Sequence, residues 1–525
     1  MKYLLLAFAI IFTVYLPWFG SKGTLSSGDW PYLFPQNITE FKIPTQPPFL
    51  WLDSYYQITA KIGVQLLGLP WSVTERIFWF YPFLLLSLFS SILFLKYLAQ
   101  KLDLGKNQFN FISVGTLIFA TNTYILMLIG GGQLGISMGY SLIPLALYSL
   151  FSLFDAGGFL NKKLVICTLV LGIQLMFEPR FFLISTLVAF FYGLFSSTRS
   201  KTSILKKLLA VVLLAFILNL FWILPNFGSF NGQYVSATDA LTSSFLSFAT
   251  FSNSISLLQP NWPENIFGKV GFMRPEFLIL PLIAFASLAL VKKNKVIIFF
   301  VFLGLFGAFL AKGTNPPFGE TYTLMGYIPG FMLFRDPTKF YSLVVVSFMI
   351  LIPYSLYRIS QTFPKIGYTT ICVAFLFFWS ILIRPAITQD LTGTFMPRVI
   401  PKEYNTLETF IINQHNSFKT LWIPVAERFG YSSRNNPAIS SLEFFKVTSL
   451  SDVLSKIDSK NAESKLKNAN IKYVIVPYDY LGEIFITDRK FDNSKYLKTE
   501  QSLERVKWLQ AISGNFGKIK VFEVR

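Results

Sequence analysis

About eleven apolar stretches of roughly 17–22 residues, almost bare of charge, recur along this 525-residue chain. They lie near residues 3–19, 77–95, 111–129, 134–154, 164–178, 180–197, 207–225, 276–291, 295–311, 340–357 and 366–383. A hydrocarbon core about 30 Å thick is crossed by about 20 apolar residues in a helix, so each stretch predicts a membrane span. No single soluble core accommodates this load. Hydrophobic residues make up 53% of the chain and aromatics 18%, with a mean hydropathy of +0.51. Only 14% of residues are charged, against about 25% in soluble domains. The expected class is an α-helical polytopic membrane protein.

Lysine and arginine set the expected orientation. Alternate short loops are basic: Lys96, Lys101 and Lys106; Lys162 and Lys163; Arg199, Lys201, Lys206 and Lys207; Lys292, Lys293 and Lys295; Arg358 and Lys365. The positive-inside rule puts these loops, and Lys2, in the cytoplasm. The remaining loops and everything after the last stretch then face outward from a plasma membrane. The net charge of +19 is therefore mostly a topology signal, and nucleic acid is not an expected partner. Tyr3 to Phe19 lacks a small-x-small cleavage pattern, so it is expected to stay as a first helix. Cys167 and Cys372 both fall inside predicted spans, which argues against a disulfide framework. A single histidine, His415, expected on a surface, excludes a zinc site built on histidines.

The outer loops are long, at about 20–76, 226–275 and 312–339, and the inner ones short. Tyr55 to Leu69 in the first is half-apolar, as an interfacial amphipathic helix would be. Residues 1–383 thus read as a transmembrane domain. From 384 to 525 the texture is mixed and polar: helix-like over Pro401 to Gln414, strand-like over Thr420 to Pro424, Ile471 to Val476 and Lys518 to Val524. That predicts a small extracytoplasmic α/β or α+β domain.

Three prolines flanked by charge stand at the heads of apolar stretches: Glu178-Pro179-Arg180, Arg274-Pro275-Glu276 and Arg335-Asp336-Pro337, with Lys339 just beyond. Proline suits the first helical position, and an acid before it can cap free N–H groups. All three helices would start outside and run inward, turning their positive dipole ends to the outer rim. Arg180, Arg274, Arg335 and Lys339 add full charges there, as in a pocket for a lipid-linked phosphate or diphosphate. Ordinary capping, with cations snorkelling to lipid phosphates, accounts for any one knot alone.

Asp29, in Gly28-Asp29-Trp30-Pro31, follows a flexible run beyond the first stretch. A carboxylate there can accept a proton from a hydroxyl nucleophile or ligate a divalent cation such as Mg or Mn, or simply form a turn before proline. Asp53 and Glu40 are weaker acids of the same loop, and Glu178, Asp336 and Glu276 are supporting acids beside the cations. Gly130-Gly131-Gly132-Gln133 predicts a tight turn between helices. Asn122 and Gln133 suit either a polar cavity or interhelical hydrogen bonding. No P-loop, G-x-S-x-G, H-E-x-x-H or D-x-D pattern occurs.

With Asp29 in the first outer loop, many spans and an outer C-terminal domain, the chain resembles the GT-C class of membrane glycosyltransferases. Phe334-Arg335-Asp336-Pro337-Thr338-Lys339-Phe340 is similar to the F-R-x-P-x-K-F element of the YfhO-like branch, and it also resembles mycobacterial arabinofuranosyltransferases, which carry large outer domains. Gly132-Gln133-Leu134 through Pro144-Leu145 is similar to that branch's G-H-x…P-L segment, with glutamine where histidine is common. Ile400 to Tyr404 and Asn470 to Ile475 are similar to stretches of its outer domain. The W-W-D-Y-G signature of oligosaccharyltransferases is absent. The resemblance implies an enzyme that moves a hexosyl or pentosyl group from a polyprenyl-phosphate donor to an envelope glycan, lipid or protein acceptor, with inversion. Asp29 would be the catalytic base, and Arg335, Lys339, Arg180 and Arg274 would hold the donor phosphate among membrane lipids. A lipid or polysaccharide flippase and a non-catalytic envelope-assembly scaffold are the alternative readings. The scarcity of ionisable residues within the stretches counts against ion-coupled transport.

Overall fold

The structure is a computed structural model that describes residues 2–20, 22–34, 53–158, 161–196, 200–226, 243–262, 273–290, 294–478 and 493–525. Packing divides the chain into two units. The first comprises Met1–Gly20, Ile43–Tyr56 and Arg76–Met396, and the second Ser21–Lys42, Gln57–Glu75 and Pro397–Arg525. Parts of the first long loop therefore group with the C-terminal residues rather than with the helices they follow.

The first unit is helical, and helices occupy every one of the apolar stretches. Among the described residues five are long and apolar enough to cross a membrane: Trp71–Lys101, Gly105–Gly130, Leu134–Asp155, Pro179–Ser196 and Pro337–Thr362. Leu4–Val14, Pro275–Leu290, Lys295–Ala311 and Tyr368–Leu382 are shorter apolar helices. Polar and proline residues trim these elements. Asn219 ends the helix Lys201–Leu218, and its Nδ2 donates to the Gly172 and Ala215 carbonyls at 3.0 and 2.8 Å. Apolar side chains such as Leu85, Phe191, Phe302 and Phe377 remain exposed on the helices, as lipid-facing side chains are.

Pro337–Thr362 and Gly105–Gly130 form the interior. At Gly115 the backbones approach so closely that a Cβ would lie 2.4 Å from the Met349 carbonyl oxygen, the close packing that small residues allow between membrane helices. Polar side chains tie the bundle: Ser347 Oγ donates to the Phe300 carbonyl at 2.7 Å, and Trp379 Nε1 to Thr121 Oγ1 at 2.9 Å. Asn122 breaks Gly105–Gly130 with an extended backbone and restarts it, its side chain accepting from Ile125 N. Its Nδ2 donates to the Ile118 and Phe119 carbonyls and to Tyr140 Oη, at 2.9–3.0 Å. Asn122 thus caps its own broken helix and makes one bond to a neighbouring helix, through Tyr140.

The second unit holds a five-stranded mixed sheet. Its strands are β1 (Lys419–Trp422), β2 (Ala438–Ser440), β3 (Ile471–Val476), β4 (Leu509–Ala511) and β5 (Lys520–Val524), in the order β2-β1-β3-β5-β4. β1 pairs parallel with β2 and β3, and β5 runs antiparallel to β3 and β4. Side chains alternate between two cores, as a pleated strand requires. Leu421, Val474, Val476 and Phe522 face one core; Trp422, Tyr473, Ile475 and Val521 face the other. The helix Lys402–Ile412 covers the second core through Tyr404, Leu407 and Ile411. Phe34 joins that core beside Phe429 and Tyr431, which anchors residues 22–34 to this unit. His415 is exposed just past that helix.

Candidate functional site

Two of the three proline knots lie within electrostatic reach of each other. The helix Lys162–Phe177 ends at Glu178, whose backbone is extended, the conformation a following proline imposes. Pro179 then opens Pro179–Ser196. Glu178 Oε1 caps it by accepting from Arg180 N at 3.1 Å. The same carboxylate takes a bidentate grip from Arg180 Nε and Nη2 at 2.6 and 2.7 Å. Glu178 is fully buried and the Arg180 side chain only 12% exposed. Gly139 makes room, because a Cβ there would lie 2.4 Å from Glu178 Cβ.

Asp336 repeats the device. Its Oδ1 accepts from Thr338 N at 3.0 Å and Thr338 Oγ1 at 2.6 Å, and its Oδ2 from the buried Lys339 Nζ at 2.5 Å. Burial pushes the Asp336 carboxyl up, but Lys339, Thr338 and Arg180 outweigh it and hold the pKa below the usual carboxylate range. Arg180 therefore reaches Asp336 electrostatically, and Tyr124 lies in the field of Asp336, Arg180 and Glu178 together. Four of the five charges in these knots cancel in pairs. Arg335, half-buried one residue before the cap, has no ion-pair partner among the described residues.

The third knot is placed differently. Arg274 precedes Pro275–Leu278 without a side-chain cap, and Glu276 pairs with the half-exposed Arg384 at 3.6 Å. Glu276 is thus answered from outside the knot, while Arg274 has no ion-pair partner among the described residues. Sequence reasoning passed over another cation at the head of Pro337–Thr362, Lys312. Its buried Nζ donates to the Gly313 and Asn315 carbonyls at 3.3 and 2.7 Å, and burial lowers its pKa against the opposing pull of Glu320.

Asp29 belongs to the second unit, exposed on a turn in which Gly28 takes a positive φ of 56°. The turn is braced from two sides. Arg428 donates to the carbonyls flanking Asp29, Nη2 to Gly28 O at 2.8 Å and Nη1 to Trp30 O at 2.6 Å. Glu75, fully buried, accepts from Thr24 Oγ1 at 2.9 Å, Leu25 N at 2.5 Å, Ser26 Oγ at 3.2 Å and Trp30 Nε1 at 2.9 Å. Trp71 Nε1 donates to Ser26 Oγ at 3.1 Å, and its ring stacks on Trp30 at 6.0 Å. Glu75 and Arg428 stand about 50 and 400 residues from the turn they hold, so local patterning does not reveal them. Asp53 opens the helix Asp53–Ala60; its side chain, and all of Glu40, lie outside the described residues. No group of three His, Cys, Asp or Glu side chains gathers as a metal-binding set among the described residues.

Many-helix architecture with a mixed-sheet unit has a solved counterpart. The cryo-EM structure of arabinofuranosyltransferase AftD from Mycobacteria aligns over 100% of this chain with a TM-score of 0.60 and 13% identity. The fold is GT-C-like. This GT-C-like chain covers 41% of the AftD structure's length. An apo oligosaccharyltransferase from Archaeoglobus fulgidus aligns over 90% of this chain and 69% of its own, at 13% identity; its TM-score of 0.45 is too low to bear on the fold. No family model and no curated protein matches the sequence.

Proposed function

We propose that this membrane protein is a glycosyltransferase that moves a sugar from a polyprenyl-phosphate donor to a hydroxyl acceptor on the outer face. The observation that carries the reading is the pair of knots at the heads of Pro179–Ser196 and Pro337–Thr362, which share one electrostatic neighbourhood in a GT-C-like fold and keep Arg335 without an ion-pair partner among the described residues. Arg180 and Lys339 are committed to Glu178 and Asp336. They hold the helix heads in place, and Arg335 is the group that meets the donor phosphate. The Phe334 to Phe340 element is also what supports placement in the YfhO-like branch.

In the proposed reaction the acceptor hydroxyl gives its proton to the Asp29 carboxylate as its oxygen bonds to the anomeric carbon. The anomeric carbon–phosphate oxygen bond breaks with inversion, and lipid phosphate leaves with the electron pair. A fixed guanidinium lowers the barrier by meeting charge that grows on the leaving phosphate. Membranes supplied with polyprenyl-phosphate sugars test this. Asp29→Asn should lower transfer by about 10²–10⁴-fold, and Arg335→Ala should weaken donor binding about tenfold, with the difference shrinking at high salt. Turnover unchanged in both variants would remove these residues from the mechanism. Lipid movement without any acceptor would favour a flippase instead.

A further inference from the structure

The chain between Ala311 and Pro337 leaves one apolar helix and returns to the next. Those two helices adjoin: a Cβ on Gly307 would lie 2.5 Å from Leu343 Cβ, and one on Gly313 would lie 2.7 Å from Pro337 Cγ. The ends of the segment therefore sit together at the head of Pro337–Thr362. Its start is held there, with Thr314 N donating to Ser247 Oγ at 3.0 Å and Asn315 Nδ2 to the Ser247 and Ala249 carbonyls at 2.6 and 2.8 Å. Its underside is held as well. Tyr322, on the short helix Gly319–Met325, donates through Oη to the Phe334 carbonyl at 2.5 Å. The Tyr322 ring meets Phe331 edge-on at 5.2 Å, and Phe334 stacks on Phe340 at 4.9 Å.

The outer side of the same segment is apolar. Phe318, Leu324, Tyr327, Ile328 and Leu333 are 47–83% exposed, and from Gly313 to Phe334 the only charged residue is Glu320. Phe318 is held at a φ of 59°, a left-handed backbone that bulky residues rarely adopt. A gathered apolar surface of this kind marks a membrane or protein contact, and its position selects the membrane. Both ends of the segment stand at one end of two adjoining apolar helices, the level at which hydrocarbon gives way to water. Its seven-residue helix, about 10 Å long, is too short to cross a core about 30 Å thick, and tyrosine is a side chain that the membrane–water boundary enriches. We propose that residues 316–333 form a foot resting in the bilayer interface at the head of Pro337–Thr362, with Phe318, Leu324, Tyr327, Ile328 and Leu333 among the lipid acyl chains. Arg335, two residues beyond the foot, is thereby held at the level of lipid phosphates. Capture of the donor from the plane of the bilayer follows only on the transfer reading above; the insertion itself does not depend on it.

The full chain in nanodiscs of zwitterionic phospholipid tests the insertion. Tyr327→Cys and Ile328→Cys, each carrying an NBD fluorophore, should be quenched by nitroxide-bearing phospholipids and shielded from aqueous iodide. His415→Cys, exposed in the second unit, should show the opposite pattern. Iodide quenching at Tyr327 and Ile328 as strong as at His415 would overturn the proposal. Shielding from both quenchers would mean that protein, a second copy or another part of this chain, covers the surface, and would overturn it equally. Tyr327→Asp combined with Ile328→Asp extends the test to the donor. It should raise KM for a polyprenyl-phosphate sugar about tenfold with little change in kcat, and leave KM unchanged for a water-soluble donor bearing a single isoprene unit. An equal loss with both donors would overturn the capture role. Lipid-side quenching without sugar transfer upholds the foot and sinks the transferase reading; sugar transfer with an iodide-quenched foot does the reverse.

Discussion

Glu75 shows why a single residue can govern a loop it does not belong to. One carboxylate gathers four donors from Thr24, Leu25, Ser26 and Trp30, and charge-assisted bonds of this kind are about twice as strong as neutral ones. Glu75→Gln keeps the shape but turns an NH₂ toward donors. It should cost about 2–3 kcal/mol and expose residues 22–34 to limited proteolysis; an unchanged cleavage rate would show that the network does not hold the turn. If Asp29 is the base, the same variant should lower kcat more than it raises KM. Glu408 offers a pH test in the same unit. Burial raises its pKa, so the folded state holds that proton more tightly than the unfolded chain does. The associated stability is present below the ordinary carboxylate pKa and is lost as pH rises through the raised value. Glu408→Gln should therefore raise Tm by about 2 °C at pH 7, with the gain vanishing as pH falls toward 4. A gain that persists there would mean that charge is not its source.

At the level of elements, the heads of Pro179–Ser196 and Pro337–Thr362 were legible in sequence because proline after an acid is a local signal, and both acids do cap. Their neutralisation was not. Glu178 and Arg180 are only two positions apart, and their bidentate contact depends on the extended turn at Glu178. The same limit applies elsewhere. Ile471–Val476 was readable as a continuous apolar run, whereas β2 and β4 are three-residue strands with no such pattern. The buried loop 256–262 carries polar residues that mimic an exposed one. If Arg180 is chiefly the counter-ion of Glu178, Glu178→Ala strands a buried guanidinium and should destabilise the protein by about 3–5 kcal/mol. Glu178→Leu combined with Arg180→Leu should recover most of that loss, because apolar replacement of both partners leaves no buried charge. Thermal unfolding in nanodiscs reads both. A double variant that stays stable yet loses donor binding would return Arg180 to the phosphate site. Gly139→Ala, whose Cβ must displace Glu178, should resemble the milder of these lesions.

For the whole molecule the decisive quantity is orientation, which the basic loops predict and the helices alone do not set. The proposed chemistry needs the second unit and the heads of Pro179–Ser196 and Pro337–Thr362 on the outer side, where the positive-inside rule puts them. The chain is unusually convenient for a direct measurement. Its two cysteines, Cys167 and Cys372, are free and buried within helices, so thiol labelling of the parent protein should be near background. His415 is exposed in the second unit, and Lys106 is exposed at the start of Gly105–Gly130. A membrane-impermeant maleimide applied to intact cells should label His415→Cys fully and Lys106→Cys only after permeabilisation. The opposite pattern would put Asp29 and its unit in the cytoplasm, where a donor presented on the outer face is out of reach, and would overturn the proposed reaction whatever the variants of Asp29 and Arg335 do. Equal labelling of both positions without permeabilisation would instead mean that the cells were not intact, which a cytosolic thiol protein labelled in parallel detects. Because the labelling depends only on which side of the bilayer a thiol lies, it tests topology independently of donor, acceptor and turnover.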